Sequence, residues 1–149
     1  MTSLVFRALD HHVVHGMADH LAFDDETVTL TYAQLLAQVA AFAGGLAQVG
    51  VEEGSHVALD LRGSYEVVAV LACARLGAIP DAEATTLRIE GDPPVVHSGD
   101  HDYPWSTVLS AGKTDPAPSP EQDELGYEAL MVDQFEDIFA ALTAGEAIT

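Results

Sequence analysis

The sequence predicts an α/β fold: a small sheet with a β-hairpin and packed helices, followed by an irregular C-terminal half. Three observations predict it. Between Leu30 and Pro80 the residues read as helix, tight turn, strand, helix and turn, the first half of a right-handed βαβ unit. Upstream, two short apolar runs flank Asp24-Asp25-Glu26, the pattern of a hairpin. Downstream, Thr114 to Gln122 is rich in Pro, Ser, Asp and Ala, the composition of a linker.

The elements follow in order. Ser3 to about His15 reads as a helix with Leu4, Val5, Ala8, Leu9 and Val13 on its apolar side. Leu21–Phe23 and Thr27–Leu30 are the hairpin strands. A helix from about Thr31 to Val49 starts where the Thr31 hydroxyl can cap the first free N–H groups. Leu35, Val39, Phe42 and Leu46 then recur at spacings of three and four on one face. Gly50 ends it, because glycine reaches the left-handed conformation cheaply. Glu52, Glu53 and Gly54 make the turn, and His56 to Leu61 is a short apolar strand.

Val67 to Leu76 is almost wholly apolar, so this helix is expected to be buried on more than one side. Ser64 is placed to cap it, and Glu66 suits the positive end of its dipole. Gly77 stops it and Pro80 prevents a restart. Thr86–Ile89 and Pro94–His97 read as short strands, and Trp105 to Ala111 as a short helix with Pro104 at its start. Phe135, Ile138, Phe139 and Leu142 give the stretch from Phe135 to Leu142 a helical apolar face. The expected organisation is an ordered α/β region over residues 1–84 and a loop-rich extension over 85–149 ending in that amphipathic helix. Residues from about Asp92 to Gln122 are expected to be the least regular.

At 149 residues the chain is long enough for one domain with a single core. Its 24 acidic residues against 5 basic ones give a formal net charge of −19, which repels nucleic acid and anionic membrane and argues against both as partners. Lys113 is the only lysine. A carboxylate-rich surface nearly free of lysine matches adaptation to high salt; the alternative is a GC-rich, alanine-rich genome, although that would usually supply more arginine. A single cysteine, Cys73, excludes an internal disulfide and sits where a small buried hydrophobe is expected. No basic and apolar leader opens the chain, and no apolar run reaches ~18 residues, so a cytoplasmic protein is expected.

"LTYAQL", "VGVEEGSHVAL" and "ARLGAIP" together resemble the N-terminal lobe of the adenylate-forming (AMP-binding) superfamily: acyl-CoA synthetases, adenylation domains of peptide synthetases and luciferases. The resemblance covers roughly half the chain and implies an incomplete N-terminal lobe of such an enzyme. In the family, Asn-Ser-Pro-Glu often precedes the second helix; here Gly63-Ser64-Tyr65-Glu66 keeps half of that pattern. After Pro80 the resemblance breaks, at Asp81-Ala82-Glu83-Ala84. Further on, Asp123-Glu124-Leu125-Gly126-Tyr127 resembles the family's approach to its phosphate loop, yet the Thr-Ser-Gly-Thr-Thr-Gly-x-Pro-Lys-Gly run does not follow.

The family's reaction joins a carboxylate to ATP, releasing pyrophosphate and forming an acyl-adenylate. It requires backbone N–H groups around the triphosphate, a nearby cation and a lysine for the transferring carboxylate. None of the matching motifs stands in these residues. Other chemistry is equally sparse. Ala111-Gly112-Lys113-Thr114 resembles the end of a P-loop, but the position five residues before Gly112 is Thr107 rather than glycine, in a stretch that reads as helix. Ser55 and Ser98 lack a nucleophile-elbow context. His11 and His15 lie one helical turn apart and could share a metal with Asp19; His97, Asp100, His101 and Asp102 form a second cluster in what reads as a polar loop. The first cluster, followed by "ADHLAF", resembles the family's opening helix and first strand, and the second is ordinarily just solvated, so no catalytic, cofactor-binding or metal residue and no cofactor is assigned. The expectation is a truncated acyl-CoA-synthetase-like protein, inactive alone. The alternatives are an interaction or regulatory module docking on a full-length synthetase or on itself, and a small metal-binding protein using the histidine clusters.

Overall fold

A computed structural model describes residues 2–149. The chain divides into two compact units: Met1–Ala37 with Ser119–Thr149, and Gln38–Pro118.

The first unit opens with a helical stretch containing widened, π-type turns at Phe6–Asp10 and Val13–Met17. Its course breaks at Gly16, where φ is +91°. Leu4, Val5, Ala8 and Leu9 are buried as their spacing predicts, but the next core position belongs to His12; Val13 is only half-buried. Strands β1 (Leu21–Asp24) and β2 (Thr29–Thr31) pair antiparallel. The turn between them is organised by Asp25, whose Oδ1 accepts the N–H groups of Thr27 and Val28, each at 2.8 Å. The chain's far end returns to this hairpin: Ile148 bridges Phe23 in parallel, with Asp24 N–H donating to Ile148 O at 2.9 Å. Helices α4 (Tyr127–Gln134) and α5 (Glu136–Thr143) belong to the same unit, and α5 packs on the Phe6–Asp10 turn. Helix α4 was not legible in the sequence, because it buries only Met131 and so shows no apolar stripe.

Helix α1 (Tyr32–Gln48) begins with a reciprocal cap: Thr31 Oγ1 accepts the Gln34 N–H at 3.1 Å, and Gln34 Oε1 accepts the Thr31 N–H at 2.9 Å. Leu35, Val39, Phe42 and Leu46 are fully buried, as their spacing requires. Gly50 turns left-handed at φ +107°, and Val51 N–H reaches back to Leu46 O at 3.0 Å, satisfying a carbonyl that the helix end leaves free.

The second unit holds a five-stranded sheet in the order β4-β3-β5-β6-β7. Its strands are β3 (His56–Asp60), β4 (Ile79–Pro80), β5 (Leu87–Gly91), β6 (Pro94–Ser98) and β7 (His101–Pro104). β4 and β5 flank β3 in parallel; β5, β6 and β7 form an antiparallel meander. Helix α2 (Gly63–Leu76) crosses from β3 to β4 and is buried without interruption from Val67 to Arg75. Its cap differs from expectation. Arg62 holds the N-cap position in extended conformation and Ser64 lies inside the first turn, making no cap bond. Gly77 closes the helix at φ +75°, with Ala78 N–H on Cys73 O at 2.9 Å. Pro80, which cannot donate to a ladder, sits in the edge strand β4.

The stretch from Asp92 to Gln122, expected to be the least regular, is largely ordered secondary structure: β6, β7 and helix α3 (Trp105–Lys113) fill most of it. Helix α3 packs on β6 and β7 and lies directly against α1, with glycine on both sides. A Cβ on Gly112 would stand 1.4 Å from Ala41 O, and one on Gly45 1.9 Å from Val108 O. The two backbones therefore touch where no side chain fits. At the start of α3, Trp105 stacks on Phe42 at 3.8 Å and meets the Tyr65 ring edge-on at 4.9 Å.

Candidate functional site

The densest polar constellation of the second unit is a ladder across β5, β6 and β7. Register places Arg88 opposite His97 and His97 opposite Asp102. His97 Nδ1 lies 2.6 Å from Asp102 Oδ1, and its Nε2 lies 3.7 Å from Glu90 Oε1, which also takes Arg88 Nη1 at 2.7 Å. The sequence offered His97 and Asp102 as members of a loop cluster; they are instead cross-strand neighbours in a hairpin that turns at Gly99. His101 does not join them. It pairs with Ser98, one residue along each strand and therefore on the other face, and its ring leans toward Tyr103 at 6.2 Å. Glu90 and Arg88 were missed as ladder members; the period-two alternation of β5 was the signal that carried them.

This ladder orients an imidazole, but it supplies no nucleophile. Ser98 directs its hydroxyl to Val49 O at 2.7 Å, and Ser55 Oγ accepts the Glu52 N–H at 3.0 Å, so both serines are turn fasteners. Both ring nitrogens of His97 face carboxylates. Asp102 is 67% exposed and Glu90 40%, which makes this a solvent-screened ion network worth little to stability.

In the first unit the polar groups clasp a helix end. His12 Nε2 meets Leu142 O at 2.6 Å, and the Tyr32 hydroxyl donates to Glu146 O at 2.8 Å, with the two rings edge to face at 4.9 Å. They add side-chain partners to carbonyls at and beyond the C-terminal end of α5, where Leu142 O also accepts the Gly145 N–H at 3.0 Å. His11 and His15 remain on the exposed side with their ring centroids 4.2 Å apart. Asp19 lies past the Gly16 break, and among the described residues no three His, Cys, Asp or Glu side chains come together as a metal cage.

Four titrating groups are held away from their ordinary values, and each shift has a structural cause. Backbone N–H groups of Val28 and Thr27 keep the Asp25 carboxyl below 3.8. The Glu83 N–H, aided by His56 at 3.0 Å, does the same for Asp81. Burial pushes the Tyr32 hydroxyl up to about 12, with Glu146 adding to it, and burial alone pushes the Cys73 thiol up to about 12. All four shifts run away from neutrality, the opposite of what a general acid or base at work near pH 7 requires. Cys73, fully buried and protonated, is no nucleophile. Gly112, which the sequence argues against as part of a P-loop, is the residue that lets α3 approach α1.

Residues 9–82 match the family of AMP-binding enzymes. Over 79 residues the chain is 44% identical to the acetyl-coenzyme A synthetase of Burkholderia mallei (strain SAVP1) and 42% identical to that of Cupriavidus metallidurans. Each match covers 49% of this chain and 12% of the relative's length. Among solved structures it is similar to a benzoate CoA ligase from Burkholderia xenovorans LB400, with a TM-score of 0.49 and 22% identity over 58% of this chain and 18% of that one. Among the described residues no helix is long and apolar enough to cross a membrane.

Proposed function

Starting from a chain that belongs, through residues 9–82, to the adenylate-forming family of AMP-binding enzymes, we propose that these 149 residues are a scaffold portion of an acyl-CoA-synthetase-like lobe and do not activate a carboxylate on their own. One observation carries the reading. After Gly126, where the resemblance leads one to expect the strand and glycine-rich phosphate run, the chain folds as helices α4 and α5. A pair of eight-residue helices is not the glycine-rich loop whose successive backbone N–H groups cradle a triphosphate. The locked, structurally occupied titrating groups support the same conclusion. The matched relatives' names point to acetate and coenzyme A as the first compounds to try, and the cytoplasm is the compartment we propose. The reading holds for these residues whether they stand alone or within a longer chain.

The test is carboxylate-dependent exchange of pyrophosphate into ATP by the purified chain with magnesium, using acetate and benzoate in turn. The expected rate equals that of the protein-free control. Exchange that depends on both protein and carboxylate would overturn the proposal.

A further inference from the structure

The three histidines of the opening helix have separate fates. His12 is drawn inward onto Leu142 O, while His11 and His15 stay exposed and bring their rings together at 4.2 Å with 43° between the planes. Two imidazoles bound to one ion at about 2.0–2.1 Å hold their centroids about 4.5–5 Å apart, a separation close to that of these two rings. The regular helix ends at His15, where φ is −97° and ψ 23°, and both side chains are exposed, so the rings are open to solvent. The geometry points to a two-histidine chelate, His11 with His15, for a divalent transition ion that favours imidazole, such as zinc or nickel. Because no third protein ligand converges there among the described residues, water completes the coordination. The site is thus an exchangeable binding site rather than a closed structural cage. The net charge of −19 raises the local concentration of any cation, which makes selectivity over magnesium the deciding observation.

The experiment is calorimetric titration of the full chain, purified without a histidine tag, with zinc chloride and separately nickel chloride in excess magnesium. The expected result is one ion per chain. His11→Asn and His15→Asn should each weaken binding about tenfold or more, and His97→Asn should leave it unchanged. Both substituted residues are exposed, and circular dichroism verifies that the variants keep the fold. Absence of zinc and nickel uptake in magnesium, or unchanged affinity in the His11→Asn/His15→Asn double variant, would overturn the assignment.

Discussion

Helix α2 and the run from β5 to α3 share one compact unit, yet they are held in different ways. Helix α2 is a buried apolar rod: its residues from Val67 to Arg75 are enclosed whatever direction they face, and its order comes from removing that surface from water. The β5–α3 run is mostly exposed or half-buried, with Ile89, Val96, Trp105 and Val108 as its buried apolar anchors. It relies on a ladder with β3 and on the close backbone approach of α3 to α1, with Gly112 against Ala41 and Gly45 against Val108. The family match ends at residue 82, between these two regions. Unmatched sequence here supplies ordinary strands and a helix, and β5 occupies the place beside β3. A dissimilar sequence is therefore compatible with a regular fold when one neighbouring strand edge and one helix groove are available to it.

The comparison breaks most visibly at Gly112. Gly112→Val should force α3 off α1 and cost about 3 kcal/mol or more, read as loss of the cooperative thermal transition, because the obstacle is backbone and cannot rotate away. Leu71→Ala in α2 should cost about 3 kcal/mol in chemical denaturation through the cavity it leaves, while keeping a sharp transition. If Gly112→Val proved the milder change, the contrast between a burial-held and an approach-held region would fail.

A smaller effect sharpens the contrast through pH. The Cys73 thiol has its folded value raised from 9.0 to about 12, so its contribution is fully present below pH 9 and is lost as pH rises through about 12. Cys73→Ala should flatten the alkaline limb of a stability-versus-pH curve and leave the acid limb alone. The smallest effect belongs to the meander surface. Asp102→Asn should change stability by less than about 1 kcal/mol, with high salt erasing even that difference.

Local signals were legible where a few neighbouring residues suffice. Thr31 and Gln34 cap each other across one helical turn, and Gly50 and Gly77 end their helices because only glycine takes those φ values without strain. The apolar spacing of α1 and the unbroken apolar run of α2 gave both helices and their depth of burial. Ser64 misled because a suitable capping residue is common; the turn out of β3 placed Arg62 at the cap instead. His97 and Asp102 were visible as residue types but not as a pair, since their 2.6 Å contact exists only once β6 and β7 are in register.

The sequence by itself determined the helices with an apolar stripe or run, the hairpin and the helix stops, all of which depend on neighbours within a turn or two, together with the acidic composition and the kinship of its first half. Tertiary structure alone decided which strand lies beside β3, which histidine faces inward and why Gly112 is a glycine. Those outcomes depend on strand pairing, a buried carbonyl acceptor and the distance between two helix backbones, each set by residues far apart in the chain.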